Sequence, residues 1–226
     1  MAVPGGQVSH LVAPGIKTFD DRNKMQREPV RFRAERGVTA TGTRFAAEEL
    51  ADWLKQLGLG GGNRVLDVGC GTGRFARAAS GLVGNRGLVL AVDVDAARLR
   101  GFERSKTNER IFVACAEGRD LPVRTAEFDA AILGFVLHEL PEPYPVLNEV
   151  RRTLREDGRL LVFEWLPSVP VRRPGARRLA PEQVERLFDS AGFRVEDVVQ
   201  CNDAVYAVRG SMAKVLCCGA YSPVLV

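Results

Sequence analysis

The 226-residue chain is 46% hydrophobic and 27% charged, and it contains 23 glycines and 12 prolines. This composition excludes a collagen-like or an intrinsically disordered chain, and the length is that of one or two domains. The formal net charge is only +4, from 32 basic and 28 acidic residues. A surface that wraps nucleic acid is usually more basic over a broad area, so a nucleic-acid partner is disfavoured.

The chain contains five cysteines without C-x-x-C spacing and two histidines, His10 and His138. These numbers disfavour a zinc site and a disulfide framework, so we expect no bound metal and a reducing, cytoplasmic environment. No apolar run approaches the ~18 residues that span a bilayer. The N-terminal residues also lack the basic and apolar regions of a signal peptide, so we expect no membrane span.

The chain begins with a polar stretch and continues as an alternation of helices and strands. Residues 1–42 have no clean period and are expected to form an arm or lid, whereas apolar residues from Ala46 to Leu57 predict an amphipathic helix. The following patterns predict strands over 64–68, 88–92, 111–114, 128–133 and 159–164, and helices over 74–82, 96–104, 145–154 and 181–190. Residues 193–200 and 204–209 predict an antiparallel hairpin. Residues 210–226 form an apolar tail, which we expect to pack on the sheet edge or to join a homodimer.

The alternation predicts an α/β fold with a doubly wound, mostly parallel sheet. We assign residues 43–209 to one domain, between the arm and the tail. In such sheets ligands bind beyond the carboxyl ends of the strands. The residues that follow each strand are therefore the candidates for a functional site.

The first of these strands ends in a glycine-rich segment with the sequence DVGCGTG, from Asp67 to Gly73. Gly69, Gly71 and Gly73 permit a tight turn and a close backbone approach to a ligand, although an ordinary turn between strand and helix is the alternative. A dinucleotide fingerprint would require glycine where Arg74 stands. This departure disfavours a nicotinamide oxidoreductase.

Acidic residues follow the next two strands. Asp93 is suited to accept hydrogen bonds from both hydroxyls of a ribose, whereas Asp95 is better placed as the cap of the next helix. After the following strand, Glu117 and Gly118 are positioned to contact a purine edge. The alternative for Glu117 is a solvated loop charge.

These motifs together resemble the class I S-adenosylmethionine-dependent methyltransferases, especially the small-molecule branch that includes the quinone-biosynthesis C-methyltransferases. The resemblance covers roughly residues 43–209 and rests on VLDVGCGTGRFA, VLAVDVDAARL, AEGRDLPVRTAEFDAAILGFVLHEL, LREDGRLLVFEWLP and, more weakly, LAPEQVERLFDSAGFRVEDV. It implies a Rossmann-like, seven-stranded sheet with an antiparallel strand in the C-terminal hairpin. It also implies S-adenosylmethionine as methyl donor and S-adenosylhomocysteine as product.

The resemblance assigns roles to the residues at the strand ends. Gly69 and Gly71 would pass the methionyl part of the donor, and Asp67 would help to position its amino group. Asp93 would hold the ribose and Val94 would lie beside the adenine. The family's remaining contacts would be the adenine edge and the pocket floor, at Glu117, Gly118, Leu133 and Gly134. The family often has Asp-Ala where Glu117-Gly118 stand, which puts that contact in doubt.

We expect methyl transfer to a small organic acceptor by in-line displacement, which needs mainly orientation. A base is required only if the acceptor must lose a proton, and His138 is the candidate for it. The alternative for His138 is a structural role in the turn before Pro141. Glu164 and Tyr144 are weaker candidates for acceptor contact.

Other readings remain at this stage. An RNA or protein methyltransferase is disfavoured because the fourth strand lacks an N/D-P-P-Y/F sequence, and a non-catalytic donor-binding protein is the third possibility. Four arginines, at 172, 173, 177 and 178, would suit an anionic acceptor, although a solvated charged surface is the alternative.

Overall fold

The computed structural model describes residues 33–34, 45–105, 108, 110–171 and 177–213. The predicted arm over residues 1–42 and the predicted tail over 210–226 lie mostly outside these ranges. Within the described ranges, no helix combines the length and the apolar character that crossing a membrane requires.

One mixed sheet forms the centre of the molecule. Its strands are β1 (Arg33–Ala34), β2 (Arg64–Val68), β3 (Leu88–Asp93), β4 (Ile111–Cys115), β5 (Phe128–Gly134), β6 (Leu154–Trp165), β7 (Phe193–Gln200) and β8 (Val205–Met212). They are ordered β1-β7-β8-β6-β5-β2-β3-β4. All neighbouring pairs are parallel except the two that involve β8, which is antiparallel to both β6 and β7. The predicted seven-stranded sheet with an antiparallel C-terminal strand is confirmed, and the two-residue β1 extends its edge.

Within the described part of the chain, five α-helices cover the two faces of this sheet. They are α1 (Ala47–Gln56), α2 (Arg74–Val83), α3 (Ala96–Ser105), α4 (Pro143–Thr153) and α5 (Pro181–Ser190). The buried residues of α1, α2 and α3 pack with one apolar cluster, and those of α4 and α5 pack with the other. Because both faces are covered, the central strands are apolar on both sides, as buried parallel strands usually are.

Strands β2 and β3 show how the sequence divides between the two faces. Val65 and Val89 pack on the side of α1–α3, whereas Leu66 and Val92 pack on the side of α4 and α5. By this alternation, the acidic residues Asp67 and Asp93 share the face of Val65 and Val89. Both are nevertheless almost completely buried.

The observed elements differ from the predicted ones at α4 and β6. Helix α4 begins at Pro143 instead of residue 145, because the first N–H groups of a helix have no partners within it and both prolines fit the first turn. Strand β6 begins at Leu154, which pairs with Phe128, instead of at residue 159. A register irregularity separates this pair from the main ladder. Residues 155–158, three charged residues and a glycine, have no apolar alternation, so the sequence does not predict a strand there.

We expect that Leu147→Ala destabilises the protein by about 2–5 kcal/mol, because it leaves a cavity between α4 and the sheet. Leu147 is fully buried in the cluster on that face. Urea unfolding followed by circular dichroism measures the change. Asn148→Ala, at the next and exposed position of the same helix, is the matched control and is expected to change stability by less than about 0.5 kcal/mol. Equal losses in the two variants would contradict the described packing.

Candidate functional site

The glycine-rich segment after β2 is anchored on the end of the neighbouring strand β3. The N–H groups of Gly69 and Cys70 both donate to the carbonyl oxygen of Val92, at 2.8 and 3.0 Å. The N–H of Gly73 donates to the carbonyl oxygen of Cys70 at 2.8 Å, and α2 begins at the next residue. The segment therefore forms a compact turn at the carboxyl edge of the sheet.

Glycine is required in this turn for two different reasons. Gly69 has a φ of +71°, and a Cβ there would lie 2.6 Å from a methyl carbon of Val136, in the turn after β5. Gly71 has a φ of +55°, but a Cβ there would meet nothing within 4 Å. Both glycines have a left-handed backbone that other residues rarely adopt; Gly69 also lets the loop pack against Val136, whereas Gly71 faces open space.

Asp93 connects this loop to the end of β3. One carboxylate oxygen accepts a hydrogen bond from the N–H of Gly71 at 2.8 Å, and the other accepts from the N–H of Asp95 at 2.9 Å. Only 5% of Asp93 is exposed. Each carboxylate oxygen retains a lone pair, so the side chain can accept further hydrogen bonds from a ligand. The predicted role of Asp95 as a helix cap is confirmed, because its side chain accepts from the N–H groups of Ala97 and Arg98.

Asp67 is the most unusual group at this edge. It is 1% exposed, and neither of its carboxylate oxygens has a hydrogen-bond partner among the described residues. Burial raises the pKa of this carboxyl to about 7; the backbone N–H of Ala76, in the first turn of α2, opposes the rise, and the charge of Asp93 adds to it. A buried carboxyl without a partner is costly, and a cation brought beside it would remove that cost.

The residues expected at the adenine lie at the ends of β3 and β4. Val94 is 70% exposed, next to Asp93. Gly118 lies close to β2 and α4, since a Cβ there would be about 3 Å from methyl carbons of Val146 and Val68. The carboxylate of Glu117 is exposed and pairs with the Arg119 guanidinium at 2.6 Å, so the structure does not bring it into the buried acidic group.

Leu133 and Gly134 do not form a pocket floor with side-chain space. Leu133 is fully buried in the cluster on the α4–α5 side. The space above Gly134 is filled, because a Cβ there would lie 2.1 Å from the ring of Phe75. A floor role for these two residues would be limited to their backbone atoms.

Glu164, a weaker candidate for acceptor contact, is paired with His138. Glu164 is buried at the end of β6, and its contact with an acceptor stays a prediction. One carboxylate oxygen of Glu164 lies 2.7 Å from Nδ1 of His138, and the other accepts from the backbone N–H of His138 at 3.2 Å. Tyr144, the other weak candidate, is 49% exposed on α4.

An aromatic pair that the sequence did not indicate lies beside this turn. Phe135 directly follows β5 and stacks on Trp165 at the end of β6, with ring centroids 4.4 Å apart and an interplanar angle of 26°. Phe135 has a φ of +62°, which is rare for a non-glycine residue. Such strain is concentrated at functional sites, where the surroundings hold the residue in place.

Two of the four clustered arginines lie within the described residues. Arg177 donates to the carbonyl oxygen of Leu140 at 2.6 Å. Arg178 donates to the carbonyl oxygens of Val169 and Pro170, and its guanidinium carbon is 5.8 Å from the Trp165 ring centroid. These side chains therefore hold the segment after β6 against the carboxyl edge of the sheet. Arg172 and Arg173 lie outside the described residues.

The site contains acids, backbone donors and aromatic rings, but no constellation for a metal. Among the described residues, no group of three or more His, Cys, Asp or Glu side chains is arranged to hold a metal ion. The arrangement is suited to a ligand that combines a cationic group with hydroxyls and an aromatic ring.

Comparisons with known proteins agree with this geometry. Residues 66–162 match the family described as Methyltransferase domain. A demethylmenaquinone methyltransferase from Staphylococcus carnosus is 32% identical over 124 residues, which are 54% of this chain and 52% of the relative. The chain thus spans about half the length of the curated relatives it matches.

Solved structures share the fold. An S-adenosylmethionine-dependent methyltransferase from Aquifex aeolicus is 24% identical and superposes with a TM-score of 0.63, covering 75% of this chain and all of that one. The [4+2]-cyclase SpnF is 23% identical with a TM-score of 0.63, covering 74% of this chain and 81% of that one. The predicted resemblance is therefore confirmed: residues 66–162 match the methyltransferase domain, and the described chain has the fold of S-adenosylmethionine-dependent methyltransferases.

Proposed function

We propose that this chain is an enzyme that transfers the methyl group of S-adenosylmethionine to a small organic acceptor. The observation that carries the proposal is the buried carboxyl of Asp67, whose oxygens make no full hydrogen bond among the described residues, near Asp93, which holds the open backbone of Gly71. The donor has an ammonium group and a ribose. The carboxyl of Asp67 is suited to accept from the ammonium group, and that of Asp93 is suited to accept from the ribose hydroxyls. The residues present therefore fit this ligand.

The proposed contacts follow the order of the strands. Asp67 would accept from the ammonium group, Gly69 and Gly71 would pass the methionyl part, and Asp93 would accept from the ribose hydroxyls. The exposed side chain of Val94 would cover one face of the adenine. Contacts of Glu117, Gly118, Leu133 and Gly134 stay predictions, and for the last two they would be made by the backbone.

The bound donor supplies a methyl group on a sulfonium, whose thioether leaves without needing a proton. The chain therefore has to orient donor and acceptor and exclude water, for which good placement contributes up to about 7–11 kcal/mol. The turn after β5 is suited to this task because Val136 packs against Gly69. The turn that contains Val136 thus packs against the loop proposed to hold the donor.

We further propose that the acceptor is flat and aromatic. Phe135 and Trp165 form a half-buried stacked pair at the same edge of the sheet, and aromatic surfaces favour planar ligands. The curated relatives, about half of whose length matches this chain, are named demethylmenaquinone methyltransferases. Their name supports a quinone-type acceptor. An anionic acceptor at the arginine cluster, a homodimer through the tail and a cytoplasmic location stay predictions.

A direct binding comparison tests the donor assignment. Isothermal titration calorimetry of the full chain with S-adenosylhomocysteine and with NAD should give binding only for the first ligand. Release of S-adenosylhomocysteine in the presence of quinols then distinguishes an enzyme from a protein that binds the donor without turnover. Binding of NAD alone, or of neither ligand, would contradict the proposal.

Asp93→Ala is expected to weaken S-adenosylhomocysteine binding by about 10- to 100-fold, because charged hydrogen bonds contribute about 1.5–3 kcal/mol. It removes the acceptor of the Gly71 N–H as well as the proposed ribose contact. The exposed acid of α1, in Glu48→Ala, is the control and should bind like the wild type. If the two variants lost affinity equally, the ribose assignment would be wrong.

Asp67→Asn should stabilise the ligand-free protein and weaken binding at the same time. A folded-state pKa of about 7, above the ordinary carboxyl pKa of 3.8, means that the folded protein retains a proton that the unfolded chain has released. Stability is therefore lost as pH rises from about 4 to 7, by at most about 4 kcal/mol, and the asparagine removes this loss. Thermal unfolding should show no gain near pH 4 and the full gain above pH 7.

The same variant should bind S-adenosylhomocysteine at least about tenfold more weakly at pH 8, because a charged partner of the ammonium is lost. In the wild type, affinity should fall by up to about tenfold per pH unit below 7, where Asp67 is protonated before binding. Asp157→Asn, at an exposed position of β6, is the control for both measurements. A variant with unchanged stability and affinity would refute the role of Asp67.

A further inference from the structure

A buried acid and a histidine meet between the ends of β5 and β6. Nδ1 of His138 is 2.7 Å from one carboxylate oxygen of Glu164, and the backbone N–H of His138 donates to the other oxygen at 3.2 Å. The side chains are 8% and 1% exposed. Both oxygens of Glu164 thus hold the same residue, which fixes the position of the imidazole.

The surroundings of this pair are closed on the side of Glu164. Tyr206 lies opposite Glu164 in the β6–β8 ladder, and its buried hydroxyl donates to the carbonyl oxygen of Leu179 at 2.8 Å. Arg177 reaches from the same segment to the carbonyl oxygen of Leu140, two residues after His138. Glu164 is thus enclosed by its neighbours, and His138 is the more exposed member of the pair.

The second ring nitrogen of His138 has a different environment. Nε2 has no hydrogen-bond partner among the described residues. It is also absent from the fully buried polar atoms without a partner there, so it retains some exposure to solvent. In a neutral imidazole one nitrogen carries the proton and the other is an acceptor, and the hydrogen bond at one nitrogen decides which. An ionised Glu164 can only accept, so it favours the proton on Nδ1.

We propose that Glu164 is a positioning residue that holds His138 in the Nδ1–H form, so that Nε2 is a base for acceptors that must lose a proton when they are methylated. This inference rests on the proposed function and narrows its substrate class to hydroxyl and carbon acids, such as quinols. As in a catalytic triad, a third group orients the base; here the nucleophile would be a carbon or oxygen of the acceptor.

The proton and charge balance of this step is complete. The acceptor forms a bond to the methyl carbon as the carbon–sulfur bond breaks, and the sulfonium becomes a neutral thioether. The acceptor's proton goes to Nε2 of His138. One positive charge is lost at sulfur and one is gained on the imidazolium, which Glu164 then faces as a buried counter-ion.

The position of the proton can be read directly by NMR, because the chain contains only two histidines. Nitrogen-15 labelling of histidine in the full chain, with His10→Gln for assignment, should show neutral His138 with its proton on Nδ1. Glu164→Ala should return the proton mainly to Nε2. Tyr206→Phe, which removes the neighbouring buried hydroxyl and leaves the pair intact, is the control and should keep the Nδ1–H form.

Activity separates a positioning role from a merely structural one. With 1,4-dihydroxynaphthalene as acceptor, His138→Asn should lower kcat by at least about 100-fold, the lower end of general-base contributions, with KM and S-adenosylhomocysteine affinity unchanged. Asparagine can keep the hydrogen bond to Glu164, so the fold is expected to be retained. Glu164→Gln should lower kcat by about tenfold or more in the same way.

Several results would overturn the inference. A proton on Nε2 in the wild type, or kcat of His138→Asn within about twofold of the wild type, would exclude the base. Absence of wild-type turnover with the quinol while S-adenosylhomocysteine binds would exclude the substrate class and leave the donor site standing. Failure to bind S-adenosylhomocysteine would instead refute the proposed function, and this inference with it.

Discussion

The carboxylate of Asp93 joins the two loops from which the candidate site is built. It accepts from Gly71 in the turn after β2 and from Asp95 in the turn after β3, while the carbonyl of Val92 just before it accepts from Gly69 and Cys70. These bonds satisfy backbone donors that would otherwise be unpaired at a covered edge. They also hold the backbone of Gly71 toward open space, so the placement of the whole turn depends on one acid.

This arrangement brings a second acid, Asp67, into the same buried region. Its burial destabilises the ligand-free protein but suits it to bind a cationic group. Burial and, to a smaller extent, the charge of Asp93 penalise ionisation of Asp67, and its pKa is raised to about 7 although the Ala76 N–H opposes the rise. The ligand-free protein therefore carries a cost that a cationic ligand would remove, which is the usual relation between stability and function at binding sites. The positive φ of Phe135 is a second local cost at the same edge.

The parts of this structure that were predictable from sequence are those with local signals. The spacing of the glycines predicts the turn from Asp67 to Gly73, and the period of the apolar residues predicts the helices on either side of β3. Both signals lie within a few consecutive residues. The pairing of His138 with Glu164 was not, because it joins residues 26 apart through the order of the strands, and an acid is ordinarily expected on the surface. The start of β6 was also missed, since its first residues are polar and irregularly paired.

The fold accommodates more than one chemistry, as its similarity to a [4+2]-cyclase indicates, so the function has to be argued from the site. We propose that Asp93 and the glycine turn hold an adenosyl ligand at the carboxyl edge of β2 and β3. A crystal structure of the full chain with S-adenosylhomocysteine would show this contact. We expect ligand density over Gly71, with the ribose hydroxyls within hydrogen-bonding distance of Asp93. Density at another edge of the sheet, or a ribose that does not contact Asp93, would contradict it.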